Sequence, residues 1–241
     1  MKISATIVIY NENKEVLKKV IQCFLDIDLK KELIVVDNSP KDDLKSICES
    51  FACKYIKNEK NVGFGKAHNI GFENLSSVSK FHLVLNPDVE FNGNDIKDMI
   101  LWMDKNKDVA LAVPKVYYPD GSFQHTIRDI PTPLTLIKRK LGIKDDEWDE
   151  NSLNCISEIP FAHGCFFLFR SDVYKKIGGF DERFFMYMDD LDIFIRAKKY
   201  GKTVINPNYK IYHTHRKGSS KSFKHIFWHI VSAIKYFWKY R

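Results

Sequence analysis

Two groups of acidic residues could do chemistry in this chain. The first is Asp88, which closes the stretch Phe81-His82-Leu83-Val84-Leu85-Asn86-Pro87-Asp88. The apolar run reads as a buried parallel strand, and Pro87 ends it by removing a ladder donor. Ligands of open α/β sheets bind beyond the carboxyl ends of such strands. Asp88, beside the amide of Asn86, suits a hard divalent cation, Mg²⁺ or Mn²⁺, that also holds diphosphate oxygens. The same residues also make an ordinary turn. The second group is Asp189-Asp190-Leu191-Asp192, three carboxylates within four residues. At a helix N-terminus they could be no more than a solvated cap. The aromatic approach Phe184-Phe185-Met186-Tyr187 argues for partial burial beside a cleft, where a carboxylate gains a raised pKa and can act as a general base. His213 and His215 follow a strand. An imidazole there can complete a metal site, although by spacing alone they read as a polar strand end.

These groups need a framework. Residues 4–10 and 32–36 read as strands, 54–57 as a short third strand, and 81–85 as the fourth. Helices are expected at residues 14–25, capped by Asn13, at 41–52, and after the glycine-rich segment Asn61-Val62-Gly63-Phe64-Gly65. Alternating strands and helices predict a parallel sheet with right-handed crossovers. Asp37 and Asp88 then end two strands on one edge. Further on, residues 93–106 predict a helix, 109–113 a strand, and 116–123 an aromatic-flanked hairpin turn. Residues 126–158 carry Pro131, Pro133 and an acidic cluster at 145–150, and read as an irregular, partly mobile loop over the site. Residues 166–169 form an apolar strand, Ser171 caps a short helix through Ile177, and a helix runs from Met188 to about Tyr200. Residues 203–206 and 210–213 read as two short strands.

Composition sets the limits. The 241 residues suffice for one large α/β domain, and the five cysteines show no metal-ligand spacing. They read as reduced thiols of a cytosolic protein. Residues 1–10 read as a strand rather than a leader, and no apolar run is long enough to span a bilayer. Charge is asymmetric: residues 193–241 hold twelve Lys or Arg and no Asp or Glu, while residues 1–192 hold 26 basic and 31 acidic side chains. Residues 221–241 place Phe223, Ile226, Phe227, Ile230, Ile234, Phe237 and Trp238 at helical spacing, accompanied by Lys221, Lys224, Lys235, Lys239 and Arg241. That pattern fits a helix lying on an anionic membrane surface, or one packed on the body or on a second subunit.

Taken together and in order, Ile9-Tyr10-Asn11-Glu12, Val35-Val36-Asp37-Asn38-Ser39, Asn61-Val62-Gly63-Phe64-Gly65 with Asn69 and Gly71, Leu85-Asn86-Pro87-Asp88, His163-Gly164, residues 179–185, Asp189-Asp190-Leu191-Asp192 and His213 resemble glycosyltransferase family 2, rhamnosyltransferase-like members foremost. The resemblance runs from about residue 3 to residue 220. It implies a GT-A fold, a Rossmann-like, mostly parallel sheet flanked by helices, over residues 1–220, with residues 221–241 as a C-terminal amphipathic helix. It implies a metal-dependent, inverting transfer of a sugar, rhamnose foremost, from a nucleotide diphosphate to a hydroxyl of a lipid-linked bacterial surface polysaccharide. dTDP-rhamnose is the favoured donor and a UDP-sugar the other. By the same resemblance, Asp37 would bond the donor's base, and Tyr10, Asn11, Glu12, Gly63, Asn69 and Asn86 would line the nucleotide. Asp88 and His213 would hold the metal, with Asn86 standing where the family's first Asp would be. Asp190 would be the base, with Asp189 replacing the family's Glu beside it. His163, Gly164 and Asp192 would face the acceptor. The implied location is cytoplasmic, on the inner face of the membrane. A homo-oligomer stays open. Two other classes fit the residues less well. A nucleotidyltransferase needs a basic glycine-rich loop after the first strand, where this chain has Asn11-Glu12-Asn13. A nucleic-acid-binding module is opposed by the acidic body.

Overall fold

The computed structural model describes residues 1–140, 148–214 and 223–241. Its first part alternates as expected: β1 (Lys2–Ile9), α1 (Lys14–Leu25), β2 (Lys30–Asp37), α2 (Lys45–Ser50), β3 (Lys54–Lys57), α3 (Phe64–Glu73) and β4 (Phe81–Leu85). Asn13 caps α1 through its side-chain oxygen, which accepts from the Glu15 and Val16 amides. Then come β5 (Val89–Glu90), α4 (Gly93–Lys105), β6 (Val109–Tyr117), β7 (Ile127–Arg128), α5 (Pro133–Lys140), β8 (Ser157–Glu158) and β9 (Phe161–Ala162). The chain closes with β10 (Phe166–Arg170), α6 (Ser171–Lys176), α7 (Asp189–Ala197), β11 (Lys202–His213) and α8 (Phe223–Lys239).

The main sheet runs β3-β2-β1-β4-β10-β6-β11-β5, with β8 on β11. β3, β2, β1 and β4 are parallel, and so are β6 and β11, whereas β10 is antiparallel to both β4 and β6. Alternation along each strand divides the core. Ile3, Ala5 and Ile7 of β1 join Leu17, Phe24 and Met99 on the side of α1 and α4, while Phe167, Phe169, Leu191 and Phe194 pack on the opposite side with α6 and α7. Strand β4 is less apolar than its neighbours suggest. His82 lies fully buried within hydrogen-bond distance of Ser4, and desolvation pushes its pKa down to about 3.

Two expectations change. Residues 202–213 form one strand with an irregularity between Asn206 and Lys210, not two. Within 126–158, the described part holds β7, α5 and β8; residues 141–147 lie outside the described residues. Pro131 and Pro133 read as breakers, but Pro133 sits in the first turn of α5, where a missing N–H costs no bond. Helix α8 packs into the second core: Tyr236 is buried there, Phe237 and Tyr240 pack against it, and the Ser232 hydroxyl donates to the Met186 carbonyl at 2.8 Å. Among the described residues no helix is long and apolar enough to cross a membrane.

Candidate active site

Strand direction brings the named acids to one edge. Ile9 pairs with Asp37, and Ile7 pairs with Leu85, so β2, β1 and β4 end together. Asp37 and the Asn86-Pro87-Asp88 turn are then two strand spacings apart, about 10 Å. Because β10 is antiparallel, its entry at His163-Gly164-Cys165 meets the same edge, and the Asn86 backbone amide donates to the Cys165 carbonyl at 2.9 Å. The exit of β11 delivers His213 beside Val89.

Asp88 and His213 face each other, with Oδ1 and Nε2 3.2 Å apart. On the far side of the ring, Nδ1 lies 2.7 Å from the Gln124 Oε1, which can only accept. Gln124 thus favours a proton on Nδ1, and with a cation bound Nε2 would offer its lone pair beside Asp88, the arrangement in which an outer partner orients a ligating imidazole. Adjacent ligands on a six-coordinate ion with bonds of about 2.1 Å lie about 3.0 Å apart. The pair therefore fits a divalent ion whose other ligands come from substrate and water. Among the described residues no group of three or more His, Cys, Asp or Glu side chains could hold an ion unaided. His215 lies outside the described residues.

The acidic triplet splits by direction. Tyr187 and Met188 both adopt positive φ, 69° and 60°, and this bend starts α7 with Asp189 and Asp190 in its first turn. Asp190 accepts from the Gly164 amide at 2.9 Å, and His163 Nδ1 lies 4.0 Å from the same oxygen. Its side chain is 20% exposed. Desolvation, then the neighbouring Asp189 charge, push the Asp190 carboxyl well above the usual range. Desolvation likewise pushes buried Asp189 up to about 6. A Cβ on Gly164 would lie 2.4 Å from Asp190 Oδ1, so only glycine lets the carboxylate come this close. Asp192 points the other way. It is fully buried, ion-paired with Arg196 at 2.7 Å and with Lys239, and accepts from the Tyr240 hydroxyl at 2.7 Å. It ties α8 to α7, which leaves it no part in meeting an acceptor.

Asp88 and Asp190 come together around Cys165. Burial first, and then the charges of both carboxylates, raise that thiol's pKa. A cavity of about 330 Å³ opens at Asp190, walled by His163, Phe161, Tyr187, Leu136 of α5, and His225 and His229 of α8. The Tyr187 hydroxyl is 2.9 Å from His225 Nδ1.

On the β2 side, Asp37 is fully buried. Its oxygens accept from the Ser39 amide at 2.7 Å and the Tyr55 hydroxyl at 2.6 Å. It therefore shapes the turn and does not face a ligand. The concave surface there, about 400 Å³, is lined by Asn11, Glu12, Ser39 and Lys41 among others, with the Asn11 amide donating to Ser39 Oγ at 2.7 Å. Tyr10 is exposed beside it. Gly63, at φ 91°, lies against the Phe185 backbone, where a Cβ would meet the carbonyl oxygen at 2.4 Å. Its own carbonyl accepts from Asn38 at 3.2 Å. Asn69 turns inward. Its amide nitrogen donates to the Phe180 carbonyl at 2.9 Å, and its oxygen accepts from the Phe180 amide at 2.8 Å and the Tyr174 hydroxyl at 3.0 Å. It latches the turn before the acidic triplet and borders a separate hollow with Phe72 and Gly179.

Three contributors escaped the sequence reading. Gln124 is 89 residues from His213 and carries no local signal. His225 and His229 stand one helical turn apart on α8, a spacing that was visible but had no known neighbour.

The family model "Glycosyl transferase family 2" matches residues 4–178. The chain is 23% identical over 240 residues to rhamnosyltransferase WbbL of Escherichia coli, covering 95% of this chain and 90% of that protein. It is 28% identical over 171 residues to the low-salt glycan biosynthesis hexosyltransferase Agl10 of Haloferax volcanii, covering 70% of this chain and 53% of the relative. It is 28% identical over 174 residues to the N-acetylglucosaminyl-diphospho-decaprenol L-rhamnosyltransferase of Mycobacterium tuberculosis, covering 64% of this chain and 56% of the relative. The match thus spans about half the length of the last two. Among solved structures, the mannosyltransferase PcManGT of Pyrobaculum calidifontis with GDP-Man and Mn²⁺ superposes with a TM-score of 0.66 at 14% identity, over 97% of this chain and 64% of that one. TarS of S. aureus with UDP-GlcNAc gives 0.65 at 18% identity, over 92% and 62%. At these identities the structures speak for the fold.

Proposed function

Since the chain belongs to glycosyl transferase family 2, we propose that it is an inverting glycosyltransferase, moving a sugar from a nucleotide diphosphate to a hydroxyl of a lipid-linked bacterial surface glycan. Rhamnose carried on dTDP is the favoured donor, because two relatives bear rhamnosyltransferase names; a UDP-sugar is the alternative. The observation that carries the reading is that the turn bearing Asp88 and the carboxylate of Asp190 meet at one short segment, where the Asn86 backbone amide donates to the Cys165 carbonyl and the Gly164 amide donates to Asp190, both at 2.9 Å.

In this reading the nucleotide lies along the ends of β1 and β2, against Asn11, Glu12 and Ser39, with Asp37 and Asn38 shaping the floor. Asp88 and His213 hold a divalent ion, Mg²⁺ or Mn²⁺, with Asn86 beside them. When bound, that ion neutralises charge gathering on the leaving diphosphate. Asp190 takes the proton of the acceptor hydroxyl, whose oxygen forms the new bond to the anomeric carbon. The bond to the diphosphate breaks on the opposite face, and the nucleoside diphosphate leaves with the electron pair. The desolvated setting suits Asp190 to this task, since a base works best with a pKa near the working pH. The Gly164 amide holds its Oδ2, with the His163 imidazole 4.0 Å from the same oxygen.

In this reading the protein works at the inner face of the membrane, with the outer side of α8 as its contact. Phe223 and Phe227 stand exposed on that helix outside both hollows. The contribution of charge is smaller than composition suggested. Lys239 is turned to Asp181 and Asp192, Lys235 donates to the Arg183 carbonyl, and Lys221 lies outside the described residues. A panel of nucleotide sugars, each tested for thermal stabilisation with and without Mn²⁺, tests the donor half. One donor should stabilise the protein several degrees more with the ion than without it. Indifference to every nucleotide sugar would sink the reading.

A further inference from the structure

The Asp190 cavity continues outward into a second, larger hollow. This is a groove of about 580 Å³ between α5 and α8, lined by Pro133, Ile137, Ile230, Ile234 and Trp238 among others. Leu136 and His229 line both hollows, so the groove adjoins the cavity that holds the candidate base. Its walls are almost wholly apolar, and Ile137, Ile234 and Trp238 are 56%, 65% and 71% exposed. Such side chains on neighbouring helices, arranged as a trough rather than buried against each other, mark a binding surface.

We infer that this groove holds the first isoprene units of the acceptor's lipid carrier, its diphosphate lying at His225 and His229 and its sugar hydroxyl at Asp190. The inference rests on the glycosyltransferase reading. The order of chemistry along the surface supports it: an apolar trough, then two imidazoles, then a carboxylate. A polyprenyl diphosphosugar carries isoprenoid, diphosphate and hydroxyl in that same order. Concavity argues for a chain over bulk bilayer, because a bilayer would cover the outermost face of α8 and has no use for a trough behind it. The imidazoles are suited to the middle position, since their ring N–H groups can donate to phosphate oxygens.

Two measurements on the full chain test the inference. In the first, farnesyl diphosphate, which has the chain and diphosphate but no sugar, is titrated against tryptophan fluorescence in bilayer-free buffer. The wild type should bind it better than inorganic pyrophosphate by at least tenfold, and Ile137→Glu and Ile234→Glu should each remove that preference. Both positions are exposed, so both variants should keep the wild-type melting temperature. In the second, transfer is compared for two acceptors with one sugar-diphosphate head, one on a long isoprenoid and one on a short alkyl chain, in neutral detergent. Each variant should lower the long-over-short ratio of kcat/KM at least tenfold. Equal affinity of the wild type for farnesyl diphosphate and pyrophosphate would overturn the inference, as would a ratio unmoved by both variants. A ratio that changes only on vesicles would also overturn it, showing general membrane docking. So would a wild-type dimer that Ile234→Glu dissociates, showing a subunit interface. If farnesyl diphosphate binds in the groove but no nucleotide sugar gives product, the groove stands and the transferase reading fails.

Discussion

At the ends of β1 and β2, buried polar groups are satisfied by the protein itself. Asp37 has the Ser39 amide and the Tyr55 hydroxyl, and Asn38 spans the Gly63 carbonyl, Asn58 and the Val62 amide. At the start of α7 the situation is reversed. Two consecutive non-glycine residues, Tyr187 and Met188, sit at positive φ, and two adjacent carboxylates are drawn largely out of water. Residues in sparsely populated backbone regions cost of order 1–3 kcal/mol each. Asn11, at φ 50°, is left-handed on the β1 side as well, but at the α7 wall two such residues in a row adjoin carboxyls of raised proton affinity, while the β1–β2 wall holds its polar groups in internal hydrogen bonds. The contrast recurs within the triplet: Asp190 faces the cavity, and Asp192, two residues on, is locked by Arg196, Lys239 and Tyr240.

The sharpest test of that contrast is Asp190→Asn. The amide oxygen can still accept from Gly164, so donor affinity should stay within about threefold, while transfer falls by about 10²–10⁴-fold, the usual worth of a positioned base. Steady-state transfer and donor titration measure both, and a variant that turns over like wild type would erase the distinction between the two walls. Asp192→Asn should instead act on stability. It leaves two cations facing a neutral amide, and breaking such a pair costs about 3–5 kcal/mol. The melting temperature should fall by roughly 10 °C, with the acceptor KM of the folded enzyme little changed. A large KM effect without a thermal one would return Asp192 to the acceptor site.

On the metal side, Gln124→Leu removes the partner that orients His213. It should weaken Mn²⁺ dependence by about 10–100-fold without touching the ligands themselves, which a titration of activity against Mn²⁺ reads directly. The smallest expected effect is a shift in pH. The Asp190 carboxyl must be ionised to act, and its raised pKa predicts a rate that climbs as pH rises through that value and then levels off. Asp189→Asn deletes the charge that helps to raise it, so the rising limb should move to lower pH. The same variant removes a carboxyl whose folded-state pKa lies near 6 and so above its unfolded value. Ionising that buried carboxyl destabilises the fold as pH climbs from about 4 past 6. Asp189→Asn should therefore raise the melting temperature at pH 8 more than at pH 5.

Local chemistry made much of the first half legible. Apolar strands, Asn13 as a cap, and the alternation of strand and helix all act within a few residues, so β1, α1 and β4 fall where their patterns put them. Reading failed where long-range packing decides. Helix α5 hid behind two prolines, and the two short strands expected near the C-terminus are one strand with a bulge. Site residues divide in the same way. Asp88, Asp190 and His213 were marked by turn, cluster and family likeness, and each lies on the common edge. Asp37, Asn69 and Asp192 were marked by the same kinds of signal but turn their side chains into the protein.

The amino-acid sequence alone determined the order of strands and helices, the presence of two acidic centres, and an apolar C-terminal helix, because periodicity, capping and turn chemistry are properties of neighbours along the chain. The tertiary structure decided which carboxylates look outward, that Gln124 holds His213, and that α8 turns Lys235 and Lys239 toward the body and walls the Asp190 cavity. Those outcomes depend on partners dozens of residues away, and a side chain's direction is settled only by what is packed against it.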